Sequence, residues 1–242
     1  MNAEATSAPL DRIQALTCDV FGTVVDWRRG VMDAGRELEK RTGVAADWAE
    51  LAGAWRRGYK PAMEAVSSGA RPWATIDVLH REILDRLLTE RGLSLPEEDR
   101  RWLNLAWHRL PAWLDVVAGV DRLGRRFVVS ALSNGNVSLL VDLARYSRMS
   151  WDCVLSAELA GDYKPQPVVY LRAAALLGLE PPQVLMVAAH DHDLLGARAA
   201  GFATAFVPRP QEWGPDAAAE TPTERHDTEA GDFEALAEAL GA

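Results

Sequence analysis

Residues 14–23 read Gln-Ala-Leu-Thr-Cys-Asp-Val-Phe-Gly-Thr, a short apolar run that meets an acid at Asp19 and breaks at Gly22-Thr23. A run of that length bounded by turn residues predicts a buried strand ending in a loop. The same pattern returns downstream. Phe127–Asn134, Val154–Ser156, Val184–Ala189 and Thr204–Val207 read as further short strands. Between them, Val137–Tyr146, Val168–Leu177 and Leu194–Ala200 carry helical spacing, the last closed by Gly201. Strands alternating with helices predict an α/β fold, a doubly wound, Rossmann-like parallel sheet with helices on both faces.

One stretch does not follow this alternation. From about Arg28 to Leu110, apolar residues recur every three or four positions (Leu51, Trp55, Tyr59; Val78, Leu79, Ile83, Leu87). The breaks fall at Ser67-Ser68-Gly69, Arg91-Gly92 and Leu95-Pro96. This predicts an inserted helical cap at 28–110, with the core formed by 1–27 and 111–242. Beyond Pro208 the text is rich in Pro, Glu, Ala and Thr and reads as loop, with a last helix at Phe233–Leu240.

The chain has 242 residues, 48% of them hydrophobic and 25% charged, enough for a sizeable core. Its 26 basic and 35 acidic residues leave a net charge of −9, which gives no general attraction to nucleic acid or anionic lipid. No apolar run reaches the ~18–20 residues of a membrane span. The opening MNAEATSAPLDR lacks the basic start and apolar stretch of a signal peptide. Cys18 and Cys153 alone make neither a disulfide framework nor a paired-cysteine metal site, so two free thiols and a cytoplasmic protein are expected.

In open α/β sheets, ligands bind beyond the carboxyl ends of the strands. The polar residues there are Asp19 and Thr23, Ser133 and Asn134, Lys164, and His190 to Asp193. Each alone is compatible with a cap or a turn. Together they form a constellation: Asp after the first strand, Ser-Asn after the second, Lys-Pro after the third and Asp after the fourth.

With these pieces in place (Asp19–Trp27, Leu132–Asn136, Tyr163–Tyr170, Val187–Phe202, and Trp55-Arg56 in the helical block), the sequence resembles the haloacid dehalogenase superfamily. Within it, the type II 2-haloacid dehalogenases are the nearer match. Most of the superfamily are phosphatases, with a second acid two residues after the nucleophile; here that position is Phe21. Their Mg²⁺ ligand, four residues before the last acid, corresponds to Ala189, which offers nothing to a hard cation. The resemblance therefore favours a metal-free, cofactor-free dehalogenase of small 2-haloalkanoic acids over a phosphatase, with Asp191 and His190 as the only route to a displaced metal site.

The resemblance also assigns roles. Asp19 is the nucleophile, Lys164 its cationic partner and Thr23 its orienter. Ser133, with backbone N–H groups after Asp19, holds the substrate carboxylate, while Arg56 and Asn134 receive the halide and Phe21 lines the pocket. Tyr170 and Asp193 complete the polar shell. His190 and Ala188 stand where type II enzymes often carry Asn and Ser. His190 is then either a hydrogen-bonding or basic replacement or a structural residue, and His192 falls at an aromatic wall of the halide pocket. The tryptophans are expected mostly on helical core faces, with Trp27 and Trp55 flanking the cap as the two able to line the entrance, and Arg198 is expected to form a structural salt bridge. His80, His108 and His226 receive no role. A homodimer is implied by relatives alone.

Overall fold

The computed structural model describes residues 10–242, so the N-terminal segment read above for a leader lies partly outside it. In chain order the elements are β1 (Ala15–Cys18), α1 (Trp27–Thr42), α2 (Trp48–Ser67), α3 (Ile76–Glu90), α4 (Glu97–Asn104), α5 (Val116–Leu123), β2 (Val128–Ser133), α6 (Val137–Ser147), β3 (Cys153–Ser156), α7 (Pro167–Leu177), β4 (Val184–Ala188), α8 (Asp191–Ala199), β5 (Ala203–Phe206), β6 (Thr228–Glu229) and α9 (Phe233–Ala239). The strands form one parallel sheet in the order β3-β2-β1-β4-β5-β6. β1 is central and buried at every residue, which is why it reads as a continuous apolar run. Cys18 lies beside Ala131 of β2 on one flank and Val187 of β4 on the other. The strand order reverses between β1 and β4, and the carboxyl ends there form the crevice.

The helices α1 to α4 occupy the interval between β1 and α5. Their boundaries have local causes. Asp47 caps α2 by accepting from the Ala49 and Glu50 amides, and Gly43 ends α1 in the left-handed region at φ 76°. Trp27, Trp55 and Trp107 are fully buried. Trp27 and Trp55 are therefore core residues, as the helical spacing of the tryptophans predicts, and neither lines the cavity. The exposed tryptophan at the site is Trp213, 42% accessible.

Two further features differ from the sequence reading. α8 starts at Asp191 rather than Leu194, because Asp191 and Asp193 suit the positive end of a helix although they carry no apolar period. β6 is a two-residue polar strand beside β5, too short to leave a pattern. Cys18 and Cys153 are free thiols. Among the described residues, no helix is long and apolar enough to cross a membrane.

Candidate active site

Asp19 emerges from β1 into the crevice, and four elements deliver its partners. Lys164, in the loop after β3, donates from Nζ to Asp19 Oδ1 at 2.9 Å and to Asp193 Oδ2 at 2.5 Å. Thr23 Oγ1 donates to Asp19 Oδ2 at 2.8 Å and accepts from the Ala189 amide at 2.9 Å, tying the β1 and β4 loops together. His190 Nδ1 lies 3.2 Å from Asp19 Oδ2. Burial would push the Asp19 carboxyl up, but the Lys164 ammonium and then His190 overcome it and hold the group well below the usual carboxylate range. Burial would likewise favour a neutral Lys164, and Asp19 with Asp193 reverses that, keeping the ammonium charged. The result is a buried, ionised, oriented carboxylate, as a nucleophile requires.

Asp19 opens onto a cavity of about 390 Å³ whose wall includes Phe21, Arg56, Tyr59, Asn134, His190 and His192. Phe21 meets Trp107 and Tyr59 edge to face, with ring centres 5.7 and 6.2 Å apart. The Arg56 guanidinium sits 4.6 Å over the Tyr59 ring, and its buried Nε has no hydrogen-bond partner among the described residues. A half-buried cation with one buried, uncommitted donor, on an apolar wall, is suited to receive an anion.

Several residues lie elsewhere than expected. Ser133 is fully buried, and its hydroxyl accepts from the Gly135 amide at 3.2 Å. Tyr170 is also fully buried, behind Asp193, donating to Asp193 Oδ1 at 2.6 Å. It orients an acid and does not touch the cavity wall. Asn134 does line the cavity, yet its amide clamps the Lys164 backbone, accepting from the Lys164 N–H at 2.7 Å. Asp191 turns away, its carboxylate taken by His226 at 3.0 Å and by the Thr223 amide at 3.0 Å. His226 thus pins the C-terminal loop, and Arg198 pairs with Glu224 at 3.0 Å. His108 bridges Asp77 and Asp142 at 3.0 and 2.8 Å, a structural tie between α3 and α6.

The sequence reading missed Glu212. This buried acid, in the stretch read as a polar tail, accepts from or shares a proton with His190 Nε2 at 2.9 Å and accepts from Trp27 Nε1 at 2.8 Å. Arg209, one turn earlier, anchors the loop by donating to the Thr23 carbonyl and to both Asp115 oxygens, each at 2.8 Å. Burial disfavours a charged His190, but Glu212 and Asp19 together push it up to about 10. Gly22 leaves room for this contact: at φ 91°, a Cβ there would lie 2.2 Å from Glu212 Oε1.

A donor set for a divalent cation is not assembled here. Among the described residues no group of three His, Cys, Asp or Glu side chains has metal-binding geometry, and Lys164 already lies between the Asp19 and Asp193 carboxylates.

A haloacid dehalogenase-like hydrolase profile matches residues 13–201. The (S)-2-haloacid dehalogenase 1 of Pseudomonas sp. (strain CBS-3) is 30% identical over 213 residues, 84% of this chain and 89% of its own. The crystal structure of a defluorinating L-2-haloacid dehalogenase superposes with a TM-score of 0.92 at 41% identity, covering 95% of this chain and 96% of its own. A second L-2-haloacid dehalogenase crystal structure also reaches 0.92, at 42% identity, covering 95% of this chain and 99% of its own.

Proposed function

The chain belongs to the haloacid dehalogenase-like hydrolase family, and from that premise we propose that it hydrolyses the carbon–halide bond of short (S)-2-haloalkanoic acids through an ester on Asp19. The observation that carries this reading is the ionised Asp19, held by Lys164, Thr23 and His190 at the floor of a cavity walled by Phe21 and Arg56. An Asp19 oxygen attacks C2 opposite the halide, the C2–halogen bond breaks, and the halide leaves with the electron pair. Arg56 receives its growing charge. Water then adds to the Asp19 carbonyl carbon, the acyl–oxygen bond breaks and the (R)-2-hydroxy acid departs. Lys164 keeps Asp19 ionised between turnovers, and Asp193, braced by Tyr170, keeps Lys164 in place. Backbone amides of the loops after β1 and β2 take the substrate carboxylate, the role expected of Ser133. Phosphoryl transfer is disfavoured because Phe21 supplies no proton to an alkoxide and Ala189 no ligand to Mg²⁺. In the same reading the protein works in the cytoplasm as a homodimer, for which exposed Val168, Leu171 and Leu176 of α7 supply apolar contact surface.

Halide release from fluoro-, chloro- and bromo-acids should be unchanged by exhaustive chelation. A tenfold loss on EDTA, restored by Mg²⁺, would return the phosphatase-like reading to first place.

Arg56→Ala should lower kcat by ~10²–10³, the usual effect of removing one donor to a developing anion. Fluoride release should suffer most, because fluoride leaves least readily. Arg56→Lys should recover part of the rate, lacking the guanidinium fork. Arg57, an exposed residue whose guanidinium lies 3.7 Å from half-exposed Glu50, should tolerate Ala. The reverse pattern would remove the cap from the chemistry.

A further inference from the structure

His190 lies between two carboxylates, and the proposed chemistry consumes only one of them. Its Nδ1 faces Asp19 Oδ2 at 3.2 Å and its Nε2 faces Glu212 Oε2 at 2.9 Å. Both acids are buried, and His190 itself reaches the cavity. The other charged or titratable groups around the ring are committed or neutral. Lys164 takes the other oxygen of Asp19 and is itself paired with Asp193. Arg56 adds positive potential at Glu212. The His192 ring, 5.7 Å away on α8, is held neutral chiefly by burial. Glu212 is itself fixed, by Trp27 Nε1 on its second oxygen and by the Arg209 anchor one turn before it.

We propose that Glu212 is a positioning residue for ester hydrolysis, aiming His190 so that this ring sheds a proton when Asp19 is alkylated and takes one back from the attacking water. The inference rests on the covalent reading above. In the free enzyme the imidazolium is shared by two anions, consistent with its raised proton affinity. Alkylation turns Asp19 into a neutral ester, so one of the two charges that held the proton disappears. His190 then loses its Nδ1 proton to solvent through the cavity, while the Nε2–H remains on Glu212 and keeps the ring from turning. The exposed Nδ1 lone pair now faces the ester carbonyl. Water adds to the Asp19 carbonyl carbon, and one of its protons passes to Nδ1. Its second proton leaves on the departing alkoxide, which becomes the 2-hydroxy acid, and Asp19 returns as carboxylate. One halide and one proton are released per turnover, and no other reactant is required. The free enzyme is thus protected from a competing base beside its nucleophile, and the base appears only when there is an ester to hydrolyse.

The test uses the whole enzyme with a 2-bromo acid, whose easy departure makes ester formation fast, followed by rapid-quench mass spectrometry and a pH-indicator dye. In the parent enzyme the proton should appear with bromide and ahead of the hydroxy acid. Glu212→Gln should form the ester within about threefold of the parent rate but hydrolyse it ~10²-fold more slowly, at the low end of the range for general-base assistance. Ester-mass protein should therefore accumulate. The pH midpoint of its hydrolysis step should fall, because a neutral amide holds the imidazolium less tightly; a merely structural defect would leave that midpoint in place. Glu212→Asp should restore part of the hydrolysis rate. The inference is overturned if Glu212→Gln slows both steps equally, or if the proton appears only with the hydroxy acid. Absence of any ester mass, in parent and variant alike, would instead bring down the covalent reading and this inference with it.

Discussion

Asp19→Asn should abolish turnover, by roughly 10⁶ in kcat if the loss matches that of other covalent nucleophiles, and leave the fold intact. An amide is a feeble nucleophile, but it fills the same volume and still accepts at the oxygen facing Thr23. Lys164 keeps Asp193 as a counterion at 2.5 Å, so no buried charge is left unpaired by the change. Circular dichroism should be unaltered. The companion experiment is a single turnover of the parent enzyme in ¹⁸O water. Label should enter the Asp19 carboxylate, because water attacks the acyl carbon and the product hydroxyl oxygen comes from the enzyme. Label going straight into the hydroxy acid would mean water attacks the substrate, and the ester would have no place in the mechanism.

Lys164→Met should damage both activity and stability, since one ammonium serves two buried acids. Its side chain is 4% exposed, and those of Asp19 and Asp193 are 11% and 5% exposed. Without it, burial raises the Asp19 carboxyl with only His190 in opposition, and the nucleophile is lost to protonation. We expect kcat to fall by at least ~10²–10³, the scale for removing a fixed charge from a reacting centre. Breaking a buried pair from one side costs about 3–5 kcal/mol, because the partner charges stay behind. The sign with pH follows from the shifts. In the parent, the depressed Asp19 contributes stability above its unfolded pKa, near 3.9, and loses it as pH falls. In the variant Asp19, left with burial against its charge, gains from protonation as pH falls. Urea unfolding should thus show the largest difference near neutrality, narrowing toward pH 4. A difference that widened in acid would mean the two carboxylates are not held apart by Lys164.

The same residues show where a sequence can be read and where it cannot. Asp19, Lys164 and Asp193 were legible because each follows a short apolar strand or its loop, and a parallel sheet carries all strand ends to one edge. Phe21 lines the cavity, where an apolar ring was expected. Ser133 and Tyr170 were legible as residues but not by their contacts: the first accepts from the Gly135 amide and the second stands behind Asp193, and spacing along the chain does not encode a rotamer. Trp27 and Trp55 look alike in sequence whether they face solvent or core, and packing decided for the core.

Sequence by itself determined the α/β alternation, the inserted helices and the order in which charged residues arrive at the crevice, because periodicity and turn chemistry act over a few residues. Only the tertiary structure decided that Glu212 closes on His190, that Arg56 keeps a free donor over Tyr59, and that β6 extends the sheet. Glu212 lies 22 positions from His190 in a stretch without period, and the Trp27 indole together with the Arg209 anchor to Thr23 and Asp115 holds it there. Such contacts depend on how distant segments close on one another under burial, and no local pattern records them.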